Sequence, residues 1–486
     1  MSGSQLARAE RNGAAYPLLL WVAVFAALCG SFYFGYQLGV LNPVLEYTLH
    51  SLDVEMQYGS LIVSSVLVGA LLGSLGAGSL ADNKGPKVAI MMATVPSAVG
   101  SVVSGVSWSA GSLVLGRMLC GIGVGSASIL TPRYLAEIAP KTIRGAISSL
   151  NQICICFGIL FAFILGSVYE KQPEYEGWMS IDWWRWMMVF GCYISALQGI
   201  VIAFCPETPV WLIWNGLHLQ ATASYHMLHG AVPDDMEQDD ERAEEDTRML
   251  VATESQYRNR RSRRDSPDSS GEISWRDVLH KKYRRIVRLA CVIPISQQFS
   301  GINVIILYGA NVMKMIGMSD SPMRSNMILG AINALFAILS AILVDRVGRK
   351  PCLVASFTGM CVCLLTLALS VGGSEPSHPL VAFWSLVGYI CFFGVGCGGI
   401  PWVYLSEILP DEIKKDLQAV ATAGNWLANL FVGASFSAFV ALIGIQGLYL
   451  FYACCCALSA AFCVRYMVET KQKPLHQIHR ELLILE

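Results

Sequence analysis

The chain has 486 residues, 54% of them hydrophobic and only 14% charged, with a mean hydropathy of +0.51; a soluble domain carries about a quarter charged residues. A formal net charge of -1 excludes the strongly basic balance that nucleic acid as a partner requires. All sixteen cysteines lie in apolar stretches without metal-ligand or disulfide-framework spacing, so they read as small core- or lipid-facing residues, the run Cys454, Cys455, Cys456 included.

The opening segment MSGSQLARAERNGAAYP is polar, and the apolar run behind it is too long for a signal-peptide core. It reads as a first membrane span with no cleaved segment before it. A helix needs roughly 20 apolar residues to cross the hydrocarbon core, where an unpaired backbone group finds no water. Six such runs are predicted near 17–38, 59–81, 88–107, 111–131, 145–169 and 186–205, and six more near 287–309, 326–344, 351–372, 380–403, 417–442 and 447–467.

The predicted fold class is therefore an all-α membrane protein of twelve spans in two pseudo-symmetric six-helix halves, 1–205 and 286–467. A cytoplasmic linker, 206–285, joins them, and a cytoplasmic tail, 468–486, follows. Cytoplasmic loops carry the excess of Lys and Arg. With both termini inside, only Lys171, Arg185, Lys314 and Arg324 of the 34 fall outside, and Arg117 lies within a span. The linker begins and ends with helix-capable segments, PVWLIWNGLHLQATASYHML and SWRDVLHKKYRRI. Residues 232–272 between them mix acidic and basic residues with few apolar ones, the composition of a disordered linker. RNRRSRRDSPDSS at 258–270 is a candidate phosphorylated or lipid-touching segment, against the plainer reading of a solvated stretch.

The halves repeat one another. YLAEIAP at 134–140 recurs as YLSEILP at 404–410, an offset of 270 that also takes Arg144 to Lys414. LADNKGPK at 80–87 recurs as LVDRVGRK at 343–350, and PETP at 206–209 and VETK at 468–471 close the sixth and twelfth spans. Parallel repeats of six spans are a transporter construction, with substrate bound near the midplane between the halves.

An ionisable or amide side chain in the membrane is a functional candidate, because burying it unpaired costs several kcal/mol by a rough estimate. None of the 35 acidic residues and none of the eight histidines falls in the middle of a predicted span, so a proton relay has no visible carrier. Amides are plentiful instead: Gln37, Gln152, Gln297, Gln298, Asn303, Asn333, Asn425 and Asn429, with Trp402 and Trp426 beside them. An amide offers donors and an acceptor, as a sugar hydroxyl does, and an indole covers an apolar sugar face. Interhelical glue is the competing reading of each amide. The charged ends are read as cytoplasmic gates: Asp82 with Lys84 and Lys87, Asp345 with Arg346 and Arg349, and Glu137 and Glu407 with Arg144 and Lys414. Such ion pairs would close the inner side and break as the halves rock.

From Phe34 to Lys471 the motifs resemble the sugar porter family of the major facilitator superfamily: GRMLCGIGVG at 116–125, PRYLAEIAPKTIRG at 132–145, LNQICICFGIL at 150–160, PETPVWL at 206–212, QQFSGIN at 297–303, DRVGRK at 345–350, PWVYLSEI at 401–408, NW at 425–426 and VETK at 468–471. FGYQLGVLN at 34–42 and LNQICICFGIL are similar to plastidic glucose translocators and to facilitative hexose transporters of parasites and animals. The resemblance implies the major facilitator fold and hexose binding by Gln152, Gln297, Gln298, Asn303, Asn333, Trp402 and Asn425. It implies no cofactor and no catalytic residue.

Proton-coupled members of that family carry an aspartate where this chain has Gln37, while its partner on the fourth span, Arg117, remains. Gly394, Cys397 and Gly399 depart from the glutamate and prolines of animal carriers, and Pro86 and Val210 replace family arginines, which predicts a weaker cytoplasmic clamp in the N-terminal half. The expectation is a hexose uniporter, glucose first, working as a monomer in the plasma membrane rather than an organelle membrane. A proton-coupled symporter, a polyol or inositol carrier and a non-transporting sugar receptor are the alternatives; an enzyme is not expected, since no nucleophile, base and orienting group converge.

Overall fold

The structure is a computed structural model that describes residues 16–55, 58–140, 142–170, 183–230, 283–317, 322–371, 378–410, 413–473 and 475–484. Lys171 and the 232–272 linker lie outside them.

Because lipid satisfies no backbone group, the apolar runs become helices. The first half holds spans Leu18–Gly39, Gly59–Lys84, Pro86–Gly105, Ala110–Ile138, Arg144–Glu170 and Trp183–Phe204. The first span continues through a turn, Asn42–Val44, into a short outer helix, Leu45–Ser51. In the second half the eighth and ninth spans are Pro322–Val347 and Arg349–Ser370, the seventh and tenth are interrupted, and the eleventh and twelfth run together. The seventh is split into Arg284–Gln298 and Ile302–Met315 by Gly301, whose φ is 91°. The tenth runs Pro379–Phe392, then a wide π turn at Phe393–Cys397, then Ile400–Ile408. The eleventh and twelfth form one stretch, Lys414–Tyr466, broken at Gly444 (φ 70°, ψ 170°), so eleven helical stretches of spanning length make twelve crossings.

Within the first half, spans two and four pack closely enough that a Cβ on Gly121 would lie 2.1 Å from the Val66 carbonyl and one on Gly125 1.9 Å from that of Ala70. That is why the GRMLCGIGVG stretch is rich in glycine: van der Waals contact between small residues drives helix association in lipid. The halves meet along two seams, spans five and eight, and spans two and eleven. The described part of residues 206–285 forms Pro209–Trp214 and His218–His229, and residues 468–486 contribute Leu475–Ile484.

Candidate functional site

Four of the seven amides and indole assigned to sugar join into one chain of hydrogen bonds inside the second half. The π turn of the tenth span leaves carbonyls without helical partners. Gln297 Nε2 donates to two of them, Cys397 O at 2.6 Å and Gly398 O at 3.1 Å. Ser356 and Ser340 serve the same turn, through Phe392 O at 2.6 Å and Val395 O at 3.2 Å. Gln297 Oε1 accepts from Gln298 Nε2 at 3.4 Å and Asn425 Nδ2 at 3.3 Å, and Gln298 Oε1 accepts from Asn303 Nδ2. Asn425 also donates to Pro294 O at 2.7 Å. Gln297 is thus committed to backbone, while Gln298 and Asn303 spend their bonds on other amides that a hydroxyl can replace. Gly394 fits this turn because a Cβ there would lie 2.5 Å from that of Phe336.

Two more residues of the set meet across the seam between spans five and eight. Gln152 Nε2 and Asn333 Nδ2 both donate to Cys156 Sγ, at 3.6 Å and 3.5 Å. A thiol is a weak acceptor, so both amides are poorly satisfied. Cys156 was expected to be a core filler; its i+4 spacing from Gln152 was the available signal. The seventh member, Trp402, lies half-buried on the inner segment of the tenth span. Trp426, one residue from Asn425, is buried against Phe34 of the first half, ring centroids 5.6 Å apart.

The buried Arg117 side chain donates from Nη1 to Gln37 Oε1 at 2.7 Å and from Nη2 to Gln37 O at 2.8 Å. Gln37 Nε2 in turn donates to Ser101 Oγ at 3.2 Å. Arg117 Nε has no partner, and among the described residues no carboxylate pairs with this guanidinium. A buried arginine here is met by amide and hydroxyl dipoles in place of a counter-ion.

At the end opposite the termini the halves are joined by Asn42. Its Nδ2 donates to Ile306 O at 2.8 Å and its Oδ1 accepts from Ala310 N at 2.9 Å. Those two backbone groups are four residues apart and would otherwise bond each other in the helical ladder. An inserted side chain is a recognised cause of a kink, and Tyr308 between them is non-helical (φ -126°, ψ 17°). Lys314 and Glu46 pair across the same seam. Asn42 was missed in the sequence because it lies just past the apolar run that defined the first span.

The helix ends on the side of the termini, expected to be cytoplasmic, differ from the expected pairing. Asp82 is bound by Arg133 Nη1 at 2.7 Å, and Glu137 by Arg133 Nε at 2.9 Å and the Thr208 hydroxyl at 2.6 Å. Neither Lys84 nor Lys87 holds Asp82; Lys87 gives its backbone N–H to Glu207 at 3.0 Å. Arg144 reaches the Ala139 carbonyl at 3.4 Å and does not pair with Glu137. In the second half Arg349 bridges Asp345 at 3.2 Å and Glu407 at 2.9 Å, and Thr470 donates to Glu407 at 2.6 Å. Arg346 contributes its carbonyl to Lys471, and Lys414 forms no ion pair among the described residues. Every one of these described pairs lies within one half; the described bonds that cross between halves include the Asn333–Cys156 contact along the seam and those around Asn42 and Glu46 at the end opposite the termini.

Residues 22–482 match the family model described as Sugar (and other) transporter. Plastidic glucose transporter 4 of Arabidopsis thaliana is 32% identical over 463 residues, covering 94% of this chain and 80% of that protein. The D-xylose-proton symporter of Escherichia coli (strain K12) is 29% identical over 486 residues, covering 93% of each. The structure of the proton:xylose symporter XylE bound to 6-bromo-6-deoxy-D-glucose is similar with a TM-score of 0.77 and 26% identity, over 95% of this chain and 99% of that one. This integral, multi-pass membrane protein, with its twelve crossings in two repeated halves, belongs to the sugar transporter family of the major facilitator superfamily.

Proposed function

We propose that the chain is a uniporter for hexoses, with glucose as substrate, working by alternating access. The observation that carries the uniport reading is the Gln37–Arg117 contact: the group facing the buried arginine is an amide, which neither binds nor releases a proton near neutral pH. The substrate reading is supported by relatives named for glucose and xylose transport. It is also supported by the chemistry of Gln298, Asn303 and Asn425, whose mutual bonds a polyol can exchange for its own hydroxyls at small net cost.

In this mechanism the sugar reaches the cluster of the second half, Gln297 keeps the broken tenth span in shape, and Gln298, Asn303 and Asn425 hold the hydroxyls. Gln152 and Asn333 trade their thiol contact for the sugar from either side of the seam, and Trp402 covers an apolar face. Outward opening withdraws Asn42 from the seventh span, and the bond from Ala310 N to Ile306 O re-forms in its place. The cytoplasmic networks around Arg133 and Arg349 brace each half as a rigid body while the halves rock. No bond of the sugar changes. With a plastidic glucose transporter among its relatives, an organelle membrane is as well supported as the plasma membrane, and localisation of a tagged full-length chain decides between them.

The test is uptake of labelled glucose into proteoliposomes, native chain against Gln298→Ala. Saturable equilibration that Gln298→Ala abolishes supports both substrate and site; absence of glucose and xylose uptake by the native chain refutes the reading.

A further inference from the structure

Above the Asn42 closure, on the outer face, the seam between the halves keeps a cleft of about 190 Å³. Its walls come from both halves: Asn42, Glu46 and Tyr47 on one side, Asn311, Lys314 and Met323 on the other. The Asn311 side chain makes no hydrogen bond among the described residues, and the Glu46–Lys314 pair offers a further acceptor oxygen and further N–H donors. One turn deeper than Pro322 and Met323 on the same helical face lies Asn326, 1% exposed, with neither its Oδ1 nor its Nδ2 bonded among the described residues. It stands beside Asn42: a Cβ on Gly309 would lie 2.3 Å from Asn326 Oδ1 and 3.0 Å from Asn42 Nδ2.

Burying an amide with no partner costs about 1 to 3 kcal/mol, so a native chain that keeps one has a bonding partner missing. We infer that this cleft is a second sugar site, an outer docking place for a neutral polyol held by Asn311, Asn326 and the Glu46–Lys314 pair. The walls are net neutral, present donors and acceptors in alternation, and offer the Tyr47 ring to an apolar sugar face, which suits a hexose better than an ion or an acyl chain. Because the walls belong to both halves, a sugar docked there while the outer gate is shut lies next to the Asn42 latch that must release before it moves inward. The inference rests on the hexose-carrier reading above and adds a site to it.

Equilibrium binding of labelled D-glucose to the purified full-length chain in lipid nanodiscs tests this. Two glucose molecules per native chain are expected, one per chain in Asn326→Leu, and one in Gln298→Ala, which lies in the central cluster. Asn326→Leu removes polar atoms that lack partners, so it is expected to fold as stably as the native chain. Lys314→Met, on the exposed lip, gives a second probe and is expected to weaken the outer site roughly tenfold by losing one charge-assisted bond. One glucose per native chain, lost in Gln298→Ala and kept in Asn326→Leu, overturns the outer site and leaves the central one standing. Two per chain unchanged in both Asn326→Leu and Lys314→Met overturns it as well, and no binding to the native chain overturns both sites.

Discussion

Arg133 and Arg349 hold equivalent carboxylates from non-equivalent positions. In the repeat, Arg349 corresponds to Pro86 and Arg133 to Val403. Yet Arg133 bridges Asp82 and Glu137 as Arg349 bridges Asp345 and Glu407. The N-terminal half has Pro86 at the position of Arg349 and takes its cation from the fourth span, so its two carboxylates are bridged as those of the second half are, contrary to the weaker clamp that Pro86 alone predicts.

Arg133→Met is expected to destabilise the chain by roughly 1 to 3 kcal/mol, because it leaves two partly buried carboxylates without their shared cation. Pro86→Arg in the same chain is expected to restore most of the loss, by placing a guanidinium where the second half has one. Thermal unfolding in detergent of the single and double variants measures this; equal melting of Arg133→Met and the native chain would remove the compensation.

The same proline sets apart the two acidic caps. Gly85 and Gly348 both have positive φ, 96° and 112°, and in each case a Cβ would run into the carboxylate below, Glu207 or Glu469. Glu469 accepts backbone N–H bonds from Arg349 at 3.0 Å and Lys350 at 2.9 Å, whereas Pro86 has no N–H for Glu207. Burial pushes Glu207 above its ordinary value against its backbone donors and adds to repulsion from Glu137. For Glu469 burial pushes the same way, but the four backbone donors of Lys471, Arg349, Lys350 and Thr470 win and hold it below.

Linkage then gives opposite signs. The depressed Glu469 contributes stability above the ordinary carboxylate value that is lost as pH falls through its folded value. The raised Glu207 contributes stability below that value that is lost as pH rises through its folded value. Across a pH range that brackets the ordinary carboxylate value, Glu469→Gln is expected to lie below the native melting temperature at the upper end and to close that deficit as pH falls, and Glu207→Gln to gain on the native chain as pH rises. Parallel melting curves across that range would contradict the assignment.

Within the amide cluster the two glutamines separate structure from binding. Gln297→Ala strips the caps from Cys397 and Gly398 and is expected to cost about 1 to 3 kcal/mol of stability as well as transport. Gln298→Ala is expected to melt within about 1 kcal/mol of the native chain and still lose uptake. Melting and uptake measured side by side distinguish them.

Asn42→Leu removes the side chain that interrupts the ladder of the seventh span. The outer end is expected to open more often, seen as a longer distance between spin labels at Tyr47 and Met323 in the variant than in the native chain. No change in that distance would mean that Asn42 does not hold the outer closure.

The fold was legible because lipid permits little besides helices, so apolar run length alone placed the twelve crossings. What it could not place were the interruptions at Gly301 and at Phe393–Cys397, which hydropathy reads as continuous span, whereas the break at Gly444 falls in the gap left between 417–442 and 447–467. Gln297, Gln298, Asn303 and Asn425 were visible as amides in apolar surroundings, and they do lie together. Asn42, Asn311 and Asn326 were not, because residues at span ends are polar for many reasons. The ion pairs failed for a different reason. Charge-to-charge matching in sequence favoured near neighbours such as Asp82 with Lys87, whereas Arg133, two spans on and one helical turn before Glu137, has the longer reach. Cys156 shows the limit of composition: a thiol is apolar in bulk and still an acceptor for both Gln152 and Asn333.

Uniport is the central claim, and the proton count tests it most directly. Native chain in weakly buffered proteoliposomes, given glucose down its gradient with no proton gradient imposed, is predicted to take up sugar with no alkalinisation of the medium, and Gln37→Asp to acquire a pH-dependent rate beside Arg117. Protons entering with glucose in the native chain would contradict the account.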